Sequence, residues 1–179
     1  MNDLKDGTFD IASLPVLAEE DGPSREPRFR DRGDLSETFF SITRELSKKY
    51  DIDKGVLVLR HDQDGKLAAI STWQRGFGRD GLALNLPTEA SLLEKVAEDG
   101  RIYTEEFSGS FSGNFFERKL LLDDDTRSFV VQPLKSDGRV LGLMGFSSTQ
   151  PCAFAMFEEG TVDRLADQLG ALIQRKICY

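Results

Sequence analysis

The sequence predicts an α+β domain built on an antiparallel sheet, and three observations lead to this fold class. Two pairs of apolar, β-rich runs each surround an Asp-Gly dipeptide, which is the strongest short-range signal for a β-hairpin. Amphipathic helix patterns lie at both ends of the globular part, and a third lies between the hairpins. In this order of elements, we expect the two terminal helices to pack on one face of the sheet.

Each element follows from a local pattern. The helices have apolar residues at spacings of three and four, as in Leu35, Phe39 and Ile42 of the first. The strands are short apolar runs beside Asp64-Gly65 or Asp137-Gly138. The predicted elements are helix 34–49, strands 56–59 and 67–73, helix 88–98, strand 102–104, a short helix 117–122, strands 129–134 and 140–146, and a helix from about residue 158.

The chain divides into a leader and one domain. Residues 1–33 contain three of the six prolines, an acidic cluster and four arginines, with little periodicity, so we predict a polar, partly disordered leader. Residues 34–179 form the domain, which is long enough to bury a substantial core.

Charge and composition restrict the partners. The net charge of −8 argues against nucleic acid, because such binding needs a concentrated basic surface. No apolar run is long enough to span a membrane, and the first residues lack a secretory signal, so we predict a cytoplasmic protein without membrane contact. Of the two cysteines, Cys152 is predicted to be an inert linker thiol rather than a redox or nucleophilic group, and Cys178 receives no function.

The sequence contains no clear pattern for a metal site, a haem site or a nucleophilic catalytic residue. His61 is the only histidine and lies in a predicted turn, where a surface role is favoured over a ligand role. Asp123, Asp124 and Asp125 lack the spacing of a calcium loop, which favours a solvated corner. The sequence also has no Gly-x-Ser-x-Gly elbow and no phosphate-binding loop.

Two long segments resemble the GAF domain family. They read LPTEASLLEKVAEDGRIYTEEF and QPLKSDGRVLGLMGFSSTQPCAFAMFEEGTVDRLADQLGALI, and the resemblance covers roughly residues 34–177. It implies a small-molecule sensory or regulatory domain of a bacterial signalling protein, with the ligand between the sheet and an irregular crossing segment. A PAS-like fold is the structural alternative.

Family comparison also implies what the site lacks. Members that reduce free methionine sulfoxide use cysteines in the pocket loops, but the corresponding residues 74–86 and 105–122 contain none. The Cys-His pair of bilin-attaching members is absent as well. Asn114, Phe116, Asp123 and Asp124 resemble the cyclic-nucleotide pattern only loosely. The cofactor therefore stays unknown, with no haem, bilin or metal signature.

Carried onto this chain, the resemblance implies a pocket of aromatic and polar residues. Residues 105–116 alternate small residues with four of the thirteen phenylalanines, which favours a mobile binding segment, although the rings alternatively plug the cavity. Arginines at the rim suit an anionic or carboxylate ligand. The predicted site residues are Trp73, Arg75, Phe77 and Arg79 after the second strand, Phe107, Ser108, Phe111, Asn114, Phe115 and Phe116 in the irregular segment, and Arg127 and Gln132 on the fourth strand.

These expectations define a primary function and two alternatives. The primary one is a non-enzymatic GAF-like domain that binds an unidentified small molecule, forms a homodimer through its terminal helices, and acts on a signalling effector. One alternative is a ligand-free dimerisation or docking module. The other is a small reductase of methionine sulfoxide.

Overall fold

The computed structural model describes residues 32–155, 157 and 159–177. The predicted leader lies outside this part of the chain, except for its last two residues, which begin the first helix. The elements in order are α1 (Arg32–Tyr50), β1 (Lys54–Arg60), β2 (Leu67–Gln74), β3 (Phe77–Arg79), β4 (Leu84–Asn85), α2 (Leu92–Asp99), β5 (Tyr103–Glu106), α3 (Phe115–Leu121), β6 (Ser128–Ser136), β7 (Arg139–Ser148) and α4 (Glu159–Ile177).

The strands form a single antiparallel sheet in the order β3-β2-β1-β7-β6-β5. The short strand β4 pairs with the same edge of β2 as β3 does. The predicted α+β fold with an antiparallel sheet is therefore confirmed. The β6–β7 hairpin turns at Asp137-Gly138, whose φ values of 51° and 75° are those of a type I′ turn. In the β1–β2 connection only Gly65 has a positive φ, so this turn is longer than the dipeptide predicted.

Both faces of the sheet are buried, and each has its own apolar cluster. We call the face covered by α1 and α4 the helix face, and its strand residues include Leu57 and Phe146. We call the opposite face the roof face, with Val56 and Leu143 among its strand residues. The helix face places the terminal helices together, as predicted, and Phe39 of α1 stacks on Phe146 with 6.2 Å between ring centroids.

The second helix begins later than predicted, at Leu92 instead of residue 88. Ala90 has a φ of 51°, a left-handed conformation that a helix cannot contain. Ser91 caps the helix instead, because its side chain accepts a hydrogen bond of 2.9 Å from the amide of Glu94. The predicted end at Gly100 is confirmed, with a φ of 62°.

A buried lysine joins β1 to the end of α3. Lys54 is only 4 % exposed, and its Nζ donates to the carbonyl of Lys119 at 2.9 Å and to Oδ1 of Asp123 at 3.0 Å. It thereby satisfies a carbonyl in the last turn of α3, where the helix lacks internal partners. Lys54 thus fixes the position of α3 against the sheet.

We expect Lys54→Met to lower the free energy of unfolding by about 2 kcal/mol, because the partly buried carbonyl of Lys119 and the carboxylate of Asp123 lose their charged donor. Urea unfolding measures this change. Lys95→Met, which removes an exposed lysine from α2, is the matched control and should change stability by less than about 0.5 kcal/mol. Equal stability of the two variants would contradict the role given to Lys54.

Candidate functional site

A segment of residues 105–122, here called the roof segment, lies across the roof face of the sheet. It runs from the end of β5 through an irregular stretch into α3. Phe107 and Phe111 are half-buried and pack on the roof-face cluster, where Phe111 meets Phe129 of β6 edge-on at 5.7 Å. The guanidinium of Arg118 lies 5.6 Å from the centre of the Phe107 ring. These rings fill space between the segment and the sheet.

The N-terminus of α3 is held by a capping box. The side chain of Asn114 accepts from the amide of Glu117 at 3.0 Å, and Glu117 accepts from the amide of Asn114 at 3.1 Å. Nδ2 of Asn114 also donates to the carbonyls of Pro87 at 3.1 Å and Glu89 at 3.3 Å. Asn114 thus connects the roof segment to the loop before α2.

The carboxylate of Glu117 is the most heavily bonded group in the roof segment. The side chain is fully buried and accepts hydrogen bonds from Oγ of Ser91 and from the amides of Leu92 at 2.9 Å and Leu93 at 3.2 Å. Those amides belong to the first turn of α2, which has no internal partners for them and favours a negative charge. Glu117 therefore attaches α3 to α2, and we call this arrangement the Glu117 latch.

Close packing around the latch requires a glycine at position 113. A Cβ atom added there would overlap Oε2 of Glu117 and lie within 2.9 Å of the Phe111 ring. Similarly, a Cβ on Gly145 of β7 would overlap the side chain of Leu121. The roof segment consequently lies in direct contact with the sheet along α3.

Three of the six predicted site residues of the roof segment are exposed at its outer surface. Phe115 and Phe116 are 60 % and 42 % exposed, and Nζ of Lys119 lies 5.5 Å from the Phe115 ring centre. Ser108 is exposed as well. Arg127 is exposed in the connection before β6, and its carbonyl accepts from the amide of Phe107 at 2.7 Å. The structure thus brings Phe107, Phe111, Asn114 and Arg127 to one region.

Two predicted residues lie on the opposite side of the sheet from this region. Gln132 pairs with Met144 and shares the helix face with Val130 and Leu134, because alternate residues of a strand point the same way. Trp73 also belongs to the helix-face cluster, beneath α1. The structure therefore does not bring these two residues together with the roof segment.

The remaining predicted residues lie near the edge of the sheet. Phe77 is 82 % exposed on β3, and Arg79 at the end of the same strand is exposed. Arg75 occupies the β2–β3 turn and lines a groove with Trp73 on the helix face. The prediction thus combined residues from three separate surfaces.

Two titratable groups near the roof face have raised pKa values. Burial raises the pKa of Tyr103, and its hydrogen bond of 2.6 Å to Glu105 raises it further, so the phenol remains a donor. Burial also raises the pKa of Glu94 on α2, against the opposing effect of Arg60.

Within the described ranges, no group of three or more metal-ligating side chains is present, and no helix is both long and apolar enough to cross a membrane.

A family model for the GAF domain matches residues 34–173, which is most of the chain. The chain belongs to the GAF domain family. The resemblance found in the sequence is thereby confirmed, and the family is one of sensory and regulatory domains. A comparison with curated proteins finds no match.

Solved GAF structures share the fold at low identity. The GAF domain of a two-component sensor histidine kinase from Bacillus halodurans has a TM-score of 0.66 and 18 % identity, and the match covers 81 % of this chain and 97 % of that one. The GAF domain of a phosphoenolpyruvate-protein phosphotransferase from Coxiella burnetii gives 0.62 and 19 %, covering 84 % and 88 %. A type II free methionine-R-sulfoxide reductase from Thermoplasma acidophilum gives 0.59 and 15 %, covering 79 % and 94 %. Because these likenesses extend to an enzyme, the fold alone does not decide between sensing and catalysis.

Proposed function

We propose that this GAF domain is a non-enzymatic sensory module that binds a small molecule between the roof face of the sheet and the roof segment. The observation that carries the proposal is the way this segment is attached. Its irregular stretch, residues 107–113, contacts the rest of the domain through the half-buried rings of Phe107 and Phe111, whereas Leu120 and Leu121 hold α3 in the core and the carboxylate of Glu117 joins α3 to α2. Such an attachment can open without breaking the pairing of the strands.

A ligand in this position competes with the protein's own side chains. Phe111 occupies space against Phe129, so ligand binding has to move Phe111 and the irregular stretch around it. Gly109, with a φ of 104° and nothing within 4 Å of an added Cβ, provides the conformational freedom for that movement. The ligand then acts by shifting the population from a closed to an open roof segment.

The movement has a short route to the terminal helices. Leu121 of α3 contacts Gly145 on the roof face, and the next residue, Phe146, stacks on Phe39 of α1 on the helix face. A displacement of α3 therefore changes, through β7, the surface on which α1 packs. We propose that α1 and α4 pass this change to a signalling effector, as expected for a regulatory domain.

The chemistry of the rim favours a ligand with an anionic or carboxylate group. Arg127 lies beside the roof segment, linked to Phe107 through its backbone, and its exposed guanidinium can pair with a carboxylate. Phe107 and Phe111 supply the apolar surface that a small-molecule site needs. Trp73, Phe77 and Gln132 have no part in this site, given their positions.

Catalysis is not proposed, because no cysteine or histidine is present in the roof segment. The only described cysteine, Cys152, is exposed in the linker before α4 and donates its amide to the carboxylate of Glu106. Turnover of free methionine sulfoxide by the purified chain would overturn this part of the proposal.

A thermal-shift screen with small carboxylates and nucleotides tests ligand binding. We expect at least one compound to raise the melting temperature of the wild-type protein. The variant Phe111→Ala should bind that compound with a changed affinity. Phe115→Ala removes a ring that is 60 % exposed and is the matched control, with affinity unchanged. Binding that responds equally to both variants would contradict a site beneath the roof segment.

The second candidate is a ligand-free docking or dimerisation module. The close contact of Phe111, Leu121 and Glu117 with their surroundings favours it, because a filled interior needs no ligand. In this case the homodimer through α1 and α4 is the functional unit. Sedimentation that gives only a monomer at high protein concentration would exclude it. For either candidate we propose a bacterial, cytoplasmic setting.

A further inference from the structure

A groove of about 640 Å³ opens on the helix face, between the end of α1, the start of β1 and the β2–β3 turn. None of its lining residues belongs to the roof segment, so it is distinct from the site proposed above. Its wall combines an indole with charges of both signs, contributed by Arg44, Asp51, Asp53, Trp73 and Arg75.

Trp73 is the buried polar group of this groove. The side chain is 4 % exposed, and its Nε1 finds no hydrogen-bond acceptor within the described part of the chain. A buried indole N–H normally has a partner, because leaving it unpaired costs free energy. Trp73 lines the groove, so a small rotation of its indole allows Nε1 to donate to an acceptor on a molecule bound there.

The charged side chains of the groove include an arginine in a weak ion pair and a carboxylate that is held in place. Arg75 approaches Asp125 at 3.7 Å, but both side chains are about 60 % exposed, and such pairs contribute little. Oδ2 of Asp53 accepts from the amide of Thr149 at 2.6 Å, which fixes that carboxylate at the groove. Two cations and two anions in one groove match a molecule that carries one charge of each sign.

The backbone of the β2–β3 turn holds Arg75 in an uncommon conformation. Arg75 and Gly76 have φ values of 46° and 93°, as in a type I′ turn, where asparagine is preferred over arginine at the first position. An arginine at this position therefore costs the turn some stability. The presence of arginine here is therefore explained by its side chain and not by its backbone preference.

We propose that this groove binds a free amino acid. Its carboxylate pairs with Arg75 and Arg44, its ammonium group pairs with Asp51, and an acceptor reaches the indole of Trp73. The site lies on the face that carries α1, so its ligand would act on the helix that we connect with signalling.

Tryptophan fluorescence tests this proposal directly, because Trp73 is the only tryptophan in the chain. The full chain is titrated with each common free amino acid other than tryptophan and tyrosine, at up to millimolar concentration. We expect at least one to change the emission in a saturable way. Arg75→Asn, which suits the turn, should weaken that binding about tenfold with an unchanged or higher melting temperature.

Arg79→Asn is the matched control, because it removes an exposed arginine of β3 outside the groove and should leave the affinity unchanged. Phe111→Ala, on the roof segment, should also leave it unchanged, which separates this site from the one proposed above. An absence of saturable emission change with every amino acid would overturn the inference. Binding that survives both Arg75→Asn and Arg44→Gln would overturn it as well.

Discussion

Replacing Glu117 with alanine is expected to lower the free energy of unfolding by about 4 kcal/mol. The substitution leaves the hydroxyl of Ser91 and the amides of Leu92 and Leu93 without their acceptor in a fully buried site, and it also opens a cavity. Losses of this size are typical when one partner of a buried charged network is removed. Urea denaturation followed by circular dichroism measures the change.

Two further variants define what the carboxylate contributes. Glu117→Gln keeps one carbonyl acceptor of nearly the same shape, so its loss should be smaller than that of the alanine variant. Glu98→Ala removes an exposed carboxylate from α2 and should change stability by less than about 0.5 kcal/mol. If Glu117→Ala were no more destabilising than Glu98→Ala, the latch would have no structural role.

Replacing Gly170 with valine is expected to lower the free energy of unfolding by about 3 kcal/mol. A Cβ at this position of α4 would overlap the carbonyl oxygen of Lys135 in β6 and lie 2.9 Å from its carbon. Because these are backbone atoms, no side-chain rotation relieves the overlap, and the helix has to move away from the sheet. The gain in helix propensity over glycine is only a few tenths of a kcal/mol.

Gln168→Val provides the control for Gly170→Val, because it places the same side chain at an exposed position of α4. We expect it to cost less than about 1 kcal/mol. Similar unfolding curves for the two variants would mean that α4 does not approach β6 closely. Because α4 lies on the helix face, the valine at position 170 also tests how tightly the proposed output helices are held.

The β6–β7 hairpin and the end of α2 were predictable because the local sequence determines them. Asp137-Gly138 adopts the positive φ values that this dipeptide favours, and Gly100 ends α2 in the conformation glycine allows. β3 was missed because it is a short, fully exposed strand with no apolar alternation. Its turn is formed by Arg75 and Gly76, a pair without the usual type I′ sequence.

The site was harder to predict because both faces of the sheet are buried. Gln132 was correctly placed on a strand, but alternation does not say which of two apolar faces it joins. A bulge opposite Leu57 and Val58 shifts the register of β2, so that Ile70 and Trp73 share the helix face despite their odd spacing. No local pattern in the sequence indicates such a bulge.

The Glu117 latch, by contrast, had a detectable signal. Asn114 followed three residues later by Glu117 is the pattern of a capping box, which predicts a helix start at Phe115. The contact of Glu117 with α2 depends on tertiary structure and could not be predicted from that spacing. The contacts of Lys54 could not be predicted either, because in the sequence it is only a charged residue at the beginning of an apolar strand.

The latch connects stability with the proposed function. If a ligand enters beneath the roof segment, the closed state held by Glu117 competes with binding, and a weaker latch increases the open population. Glu117→Gln should therefore be less stable than the wild type and should bind the ligand more tightly. Opposite effects on stability and affinity are the property that distinguishes a sensor from a docking module.

Native mass spectrometry of the wild-type protein and of Glu117→Gln, each incubated with a small-molecule extract of cells, tests this claim most directly. We predict a small mass that stays with the folded domain, leaves on denaturation, and occupies a larger fraction of Glu117→Gln than of the wild type. The ligand-free mass alone in both proteins, with Glu117→Gln still folded, would contradict the sensor and favour the docking module.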